Sequence, residues 1–319
     1  MPCARARHPR LGYALAASAA TMWALNGSLS RLLLDDGVSA LRLAQLRAVL
    51  TFVLLAVAVA LLRPDLLRVR REDVPRLAFL GIAGLAGVHV TYFLSISRLD
   101  VGVALVIQYL GPLLLLLWLR VVLRRRLKRS LWAAAALSVL GCALVVEVWD
   151  PGAIDALGLL AAFGAAITFA IYLYSSEQAG HRYEPVTTLV WGFGFATLFW
   201  LVVQPAWTFP FDHFTSLGNL ALGLGVVVIG TLLPFVAIVA ALRHVPASRA
   251  AVVATLEPVL AAAIAWPVLG EALDAAQIAG GLLVVGAVIW VQAQQPADDQ
   301  EAAPAYGARR RESAAAAVR

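Results

Sequence analysis

Long apolar segments are the feature of this chain that most restricts its fold. Ten runs of roughly 20 mostly apolar residues follow one another, separated by short polar loops. A helix of about 20 residues spans the ~30 Å hydrocarbon core of a bilayer. Charged residues make up only 14% of the chain, whereas a soluble domain carries about 25%. The sequence therefore predicts an all-α integral membrane protein, whose helices, numbered 1 to 10 in chain order, cover 11–30, 39–62, 77–97, 101–122, 131–148, 155–176, 185–204, 217–241, 248–269 and 275–293.

An internal repeat divides the ten helices into two sets. Residues 98–146 align with 244–292 at a constant offset of 146, so that Leu-Gly-Pro at 110–112 falls on Leu-Glu-Pro at 256–258. Five helices per copy is an odd number, so the second copy enters the bilayer in the opposite orientation. The sequence predicts two inverted five-helix repeats, at 11–148 and 154–293, between a short N-terminal tail (1–10) and a disordered tail (294–319). Such repeats commonly enclose a transport site.

Basic residues predict the orientation. Most of the 25 Lys and Arg residues flank the loops 2–3, 4–5, 6–7 and 8–9 or lie in the two tails, whereas the opposite loops are mainly acidic. Cytoplasmic loops carry the excess of Lys and Arg, so both termini are predicted to be cytoplasmic. Equivalent positions follow the same rule, since Arg125 in the first copy corresponds to Glu271 in the second. This placement explains the basic residues without nucleic-acid binding.

Several motifs give the chain a family resemblance. They are Trp-Ala-Leu-Asn-Gly at 23–27, Leu-Arg at 46–47, Ile-Gln-Tyr-Leu-Gly-Pro at 107–112, Leu-Glu-Pro-Val at 256–259 and Leu-Gly-Glu-Ala-Leu at 269–273. Over 11–293 the chain resembles the drug/metabolite transporter superfamily, and within it the EamA-type ten-helix transporters. The resemblance implies a plasma-membrane secondary transporter, commonly an exporter of amino acids, related metabolites or amphipathic drugs. It also implies a cavity between helices 1, 3, 4, 6, 8 and 9. The first copy departs from the family pattern at Leu123-Arg124-Arg125, where Gly-Glu is common.

Two prolines are repeat equivalents inside apolar helices. Pro112 and Pro258 lack a backbone N–H, which frees the carbonyl groups of Gln108 and Ala254. Transporters often build polar sites from such broken helices near the bilayer midplane. A packing kink is the alternative interpretation.

Two charged residues lie inside apolar segments. Glu257 is about ten residues into helix 9, where a charge costs roughly 2.5–3.5 kcal/mol on insertion scales. It is a candidate for carrying a proton or binding a substrate amine, and the alternative is a structural role at the proline break. Arg47 in helix 2 is a candidate partner of Glu257 or of a substrate carboxylate. The sequence favours a structural role for Arg47, in which its side chain extends to the external surface.

Uncharged polar and aromatic side chains supply the remaining candidates. His89 suits a proton relay because its pKa normally lies near 7, although a lone histidine on an apolar helix is more often only hydrogen-bonded. The others are candidates either for the cavity lining or for contacts between helices. The full set of candidate lining residues is Asn26, Ser28, His89, Tyr92, Gln108, Tyr109, Tyr172, Tyr174, Trp191 and Trp266.

The leading hypothesis is a secondary transporter that works by alternating access, with a small molecule as substrate. Proton coupling and a homodimer are left open, as are a channel or a lipid flippase on the same fold. A membrane-embedded enzyme is disfavoured because the five histidines are scattered. No nucleotide-binding signature is present, and Cys3 and Cys142 indicate neither a disulfide nor a metal site. The sequence predicts no cofactor and no metal.

Overall fold

The computed structural model describes residues 8–99, 101–146, 155–269 and 274–294, without the side chains of residues 28, 31, 101, 102 and 265–269. All regular structure in these residues is helical. The helices numbered from the sequence are Pro9–Asp35 (helix 1), Ala40–Leu62 (2), Val74–Phe79 with Leu80–Ala86 and Gly87–Ile96 (3), Val101–Gln108 with Gly111–Val121 (4), Arg129–Val145 (5), Ala156–Gly180 (6), Pro185–Val203 (7), Leu217–Val227 with Val228–Leu232 and Leu233–Ala241 (8), Ala247–Ala254 with Leu256–Leu269 (9) and Ala275–Ala293 (10).

The helices have the length and composition of membrane spans. Among the described residues, eight stretches are long and apolar enough to cross a bilayer. Helix 5 is apolar but shorter, with 17 residues. Helix 1 is long enough, with 27 residues, but it includes the polar Asn26 and Ser30. The predicted fold class, an all-helical membrane protein of ten helices in two repeats, is confirmed.

In the part of the chain that the structure describes, four helices are interrupted, and the interruptions occupy equivalent positions in the two repeats. Helix 4 breaks after Gln108 and helix 9 after Ala254, four residues before Pro112 and Pro258. Helices 3 and 8 instead contain π-helical segments, at Leu80–Ala86 and Val228–Leu232. Adding the offset of 146 to the first segment gives 226–232, which includes the second. The repeat therefore extends to irregularities of the backbone.

Packing between the repeats follows the same symmetry. Gly84 in helix 3 packs against the backbone of Tyr172 in helix 6, and its repeat equivalent Gly230 packs against Asn26 in helix 1. Tyr172 is itself the repeat equivalent of Asn26. The two contacts are therefore equivalent, with the roles of the repeats exchanged, as expected for two copies related by a pseudo-two-fold axis. Helices 5 and 10 pack closely where a Cβ at Gly141 would lie 2.7 Å from the Gly280 carbonyl oxygen.

Polar contacts cross-link one end of the bundle. The carboxylate of Asp73, at the start of helix 3, accepts hydrogen bonds from Arg182 Nη1 at 2.6 Å and the Tyr183 hydroxyl at 2.7 Å. The bond with Asp73 raises the pKa of the Arg182 guanidinium above its ordinary value. Arg243 forms an ion pair with Glu184 at the same end. These contacts join the 6–7 loop to helix 3 and to the end of helix 8.

Candidate substrate site

An aromatic cluster lies where the two repeats meet. Phe235 in helix 8 is 6% exposed, and four rings surround it. Its ring centroid is 5.7 Å from that of Trp23, 6.1 Å from His89, 5.3 Å from Tyr172 and 5.4 Å from Phe193. The cluster therefore joins helices 1, 3, 6, 7 and 8. Phe235 is the repeat equivalent of His89, so these two rings meet across the pseudo-two-fold axis.

Phe235 was not among the residues selected from the sequence. A phenylalanine in an apolar helix carries no chemical signal of its own. The repeat alignment contains the missing information, because position 89 plus the offset of 146 gives position 235. Applying the offset to each polar candidate would have identified it.

Several buried polar atoms in helices 4 and 6 have no hydrogen-bond partner among the described residues. They include the hydroxyl groups of Tyr109 and Tyr172 and the side-chain oxygen Oε1 of Gln108. Most buried polar atoms in proteins are hydrogen-bonded to protein or to ordered water. Three such atoms near the interface of the two repeats indicate a place that binds water or a polar ligand.

Glu257 lies just after the break in helix 9, two residues beyond Thr255. It is only half-buried, although it is deep in the apolar part of the chain, as expected for a side chain that faces an internal space. The Tyr109 hydroxyl is near its carboxyl group but not at hydrogen-bond geometry. Cys142 in helix 5 approaches the Thr255 carbonyl, with its Sγ 3.7 Å from the oxygen. The residue equivalent to Glu257 is Gly111, which packs against Ala166 and Phe169 of helix 6.

The Arg47 side chain does not extend to the external surface, as its predicted structural role required. Its side chain is 7% exposed and turns toward helix 8, where Nε donates to Thr231 Oγ1 at 2.8 Å and Nη2 to the Gly230 carbonyl at 3.0 Å. The prediction that it extends to the external surface is wrong, because the side chain donates to two acceptors in the π-helical segment of helix 8. No ion pair joins Arg47 to Glu257 in the described residues.

His89 and Asn26 are held by their own helices. The His89 ring is buried and lies parallel to Phe93, with centroids 6.4 Å apart. Its Nδ1 is 2.8 Å from the Leu85 carbonyl oxygen, and since a carbonyl only accepts, Nδ1 is the protonated nitrogen. The Asn26 side chain accepts a hydrogen bond from Ser30 at 3.2 Å. Both residues lie at the contact between the repeats.

The remaining candidates divide into two groups. Tyr92 is half-buried and its ring contacts Phe93, at 5.4 Å between centroids, so it belongs with the central group. Tyr174 lies elsewhere, because two residues along a helix from Tyr172 is a rotation of about 200°. Trp191 donates to the Leu67 carbonyl at 3.0 Å, beside the 2–3 loop. The side chains of Ser28 and Trp266 lie outside the described part.

Tyr174 instead lines a lateral groove of about 1090 Å³ between helices 3, 4 and 6. One end of this groove is polar, with Asp73, Arg76 and Arg182, and its walls include the exposed apolar side chains of Trp118 and Ile167. The groove faces outward from the bundle and contains none of the central candidates. Its exposed apolar walls are suited to contact with lipid acyl chains.

The fold and this site together define a class. Ten membrane helices in two repeats, with a partly polar centre between them, form a multi-pass membrane protein, and the family that its sequence matches makes it a transport protein and not an enzyme. Residues 10–147 and 156–292 each match the EamA-like transporter family. The chain belongs to this family, which places it in the plasma membrane.

Relatives and solved structures agree with this assignment. The chain is 30% identical over 254 residues to the threonine/homoserine exporter RhtA of Escherichia coli (strain K12). The aligned region covers 79% of this chain and 79% of RhtA. It is 25% identical over 224 residues to the uncharacterized inner membrane transporter YicL of Salmonella typhimurium, covering 69% of this chain and 74% of that protein. A crystal structure at 17% identity matches with a TM-score of 0.71 over 88% of this chain and 95% of its own, which supports the fold alone.

Proposed function

We propose that this protein exports small metabolites of the amino-acid class across the plasma membrane by alternating access. The observation that carries the proposal is Glu257, a half-buried carboxyl group at the contact between the repeats, for which the described residues provide no ion-pair partner. The Tyr109 hydroxyl beside it has no hydrogen-bond partner among the same residues. A charge at this depth must face a cavity or a partner. Similarity to an exporter of threonine and homoserine supports the substrate class.

Glu257 is the proposed coupling residue. An ionised carboxylate binds a substrate ammonium group, and a protonated carboxyl group does not, so proton and substrate compete for one site. Outward transport of the amine then alternates with inward transport of a proton. The breaks at Gln108 and Ala254 allow helices 4 and 9 to bend beside this site, as broken helices of transporters do.

The proposal includes how the protein is placed in the membrane and how its two repeats move. The described helices are embedded in lipid, the tails 1–10 and 294–319 lie in the cytoplasm, and the two five-helix units 11–148 and 154–293 move against each other. A monomer already encloses the proposed site, so a homodimer is compatible with transport but not required for it.

Transport by purified protein in liposomes tests the proposal. Wild-type protein is expected to move at least one amino acid of a metabolite panel against its gradient when a pH gradient is imposed. Glu257→Gln should lose gradient-driven accumulation, because an amide cannot release a proton. Glu72→Gln is the matched control, since its carboxylate is exposed and forms a surface ion pair with Arg70, and it should retain accumulation.

Three outcomes would contradict parts of the proposal. Accumulation that survives Glu257→Gln would remove this residue from proton coupling. Solute flux at conductance-like rates would favour a channel. Movement of labelled lipid between leaflets, without transport of any metabolite, would favour a flippase.

A further inference from the structure

Arg47 is a buried cation whose hydrogen-bond partners carry no charge. It lies seven residues inside helix 2, about 11 Å along the axis from the first residue. Its two acceptors are the Thr231 hydroxyl and the Gly230 carbonyl. A guanidinium group stays charged in proteins, and burial of a charge is costly unless an opposite charge accompanies it. Arg47 is therefore most stable when an anion joins it.

The guanidinium group is held so that one edge remains for a ligand. Nε and Nη2 are engaged by helix 8, whereas Nη1 makes no hydrogen bond with the described residues. The Thr231 hydroxyl donates to the Val226 carbonyl at 3.3 Å, which directs its lone pairs toward Arg47. Nη1 and the second hydrogen of Nη2 form the edge that binds a carboxylate through two parallel hydrogen bonds.

A group of opposite charge lies in the surroundings of Arg47 but does not pair with it in the described residues. Glu257 and Tyr92 act electrostatically on Arg47, yet Arg47 and Glu257 form no ion pair in the part of the chain that the structure describes. His89 is the other ionisable group close to Arg47. Nearby opposite charges that do not meet can be bridged by a molecule that carries both charges.

The pseudo-symmetry shows that the fold itself does not require this charge. The positions equivalent to Arg47 and Thr231 are Phe193 in helix 7 and Leu85 in helix 3, both fully buried. Phe193 packs edge-on against Phe235 at 5.4 Å, and a Cβ at Gly192 would lie 2.9 Å from Leu85. The contact between helices 7 and 3 is thus filled by apolar side chains, whereas the equivalent contact between helices 2 and 8 contains a cation. The cation at position 47 is therefore explained by ligand binding better than by helix packing.

We propose that Arg47 binds the carboxylate of the transported molecule and restricts this transporter to zwitterionic α-amino acids, with Glu257 receiving the ammonium group. The inference rests on the proposed transport function and names the substrate chemistry of that site. It excludes nucleobases and cationic amphipathic drugs as principal substrates.

Paired ligands test this assignment. Counterflow in proteoliposomes is measured with L-threonine, L-homoserine and other panel amino acids, each beside its carboxamide and its decarboxylated amine. In wild-type protein the acid is expected to be preferred about tenfold to a hundredfold over both analogues, as for the loss of a charge-assisted contact. Arg47→Gln should abolish that preference, and Arg47→Lys should restore part of it, because a single charge remains without the bidentate edge.

The ratio of acid to amide separates recognition from folding. A structural defect lowers transport of both ligands together, whereas loss of the carboxylate site lowers only the acid. Arg98→Gln is the matched control, because this arginine is half-exposed and pairs with Asp155 at a loop, and it should keep the wild-type ratio.

Failures of the two proposals differ. Wild-type protein that transports amides and amines as well as acids would overturn the role of Arg47 while leaving transport intact, as would Arg47→Gln with an unchanged ratio. Wild-type protein that transports no member of the panel would overturn the proposed function and this inference with it.

Discussion

Single buried carboxylates and guanidinium groups connect distant parts of this chain. Asp73 is 2% exposed and accepts from Arg182 and Tyr183, about 110 residues away, while Arg76 approaches it at 2.9 Å. Arg249, also fully buried, donates from Nη1 to the Val291 carbonyl at 2.6 Å and the Tyr13 hydroxyl at 3.1 Å. Both residues join helices of different repeats at the predicted cytoplasmic end.

Asp73→Asn is expected to destabilise the protein. The amide keeps the shape of the side chain but removes the charge that strengthens the bonds from Arg182 and Tyr183. Because the Arg182 side chain is half-exposed, solvent screening limits the loss to about 1–2 kcal/mol. Thermal unfolding in detergent measures it, and a double-mutant cycle with Arg182→Gln isolates the pair. A coupling energy near zero would show that the contact contributes nothing to stability.

The sequence identified charged residues inside apolar segments but not their partners. Glu257 and Arg47 stand out because charge is rare in such segments. Thr231, which holds Arg47, is 184 residues away in the chain and is one of several hydroxyl residues in apolar helices. Only the tertiary packing of helix 2 on helix 8 selects it. The same packing explains why the predicted extension of Arg47 to the surface is wrong.

At the scale of helices, two kinds of interruption have different origins. The breaks in helices 4 and 9 follow from proline, which removes a donor and conflicts with the carbonyl four residues earlier. The π-helical segments contain no proline and coincide with close contacts between helices. A Cβ at Gly81 would overlap the Gly192 carbonyl of helix 7, and one at Gly230 would overlap the Asn26 side chain. Sequence rules for proline therefore indicate the first kind, and only packing reveals the second.

Gly230→Ala is expected to disrupt the contact between helices 8 and 1. The added methyl group has no room beside Asn26, and overpacking of this kind costs about 1–3 kcal/mol. Gly286→Ala in helix 10 is the matched control, because its Cβ would meet nothing within 4 Å, and alanine favours a helix by up to about 1 kcal/mol.

The melting temperature of each variant in detergent measures the two effects. The Gly230 variant should melt below wild type, and the Gly286 variant at or above it. Adding Asn26→Ala to Gly230→Ala should recover part of the loss, since it removes the overlapping amide. Equal melting temperatures for the two single variants would contradict the close contact.

For the whole molecule, the repeats are alike in their backbone and differ in their charges. Both copies carry a proline break and a π-helical segment at equivalent positions, and they exchange equivalent contacts. Glu257 and Arg47 correspond to Gly111 and Phe193, so the charges are confined to one member of each pair. Length and hydropathy suffice to predict the ten helices, and the offset of 146 suffices to predict their grouping. The arrangement of charges around the centre needs the tertiary structure.

The proposed orientation can be checked with two exposed loop positions. In a Cys3→Ser, Cys142→Ser background, Arg68→Cys reports on the 2–3 loop and Thr215→Cys on the 7–8 loop. A membrane-impermeant maleimide applied to intact cells should label position 215 and not position 68, because the basic loops are predicted to be cytoplasmic. In permeabilised cells the maleimide should label both positions. The reverse pattern in intact cells would invert the topology.

The contact between Asn26 and Gly230 constrains how the substrate range can be changed. Asn26 sits at the edge of the central group, so it is an obvious position to randomise in directed evolution. Yet Gly230 leaves no space on the opposite helix for a side chain that is broader than asparagine at this point. Because glycine cannot become smaller, larger residues at position 26 must be accommodated by movement of helix 8, and a library that varies position 26 alone will recover mainly small side chains. Productive libraries will need to vary helix 8 neighbours together with it.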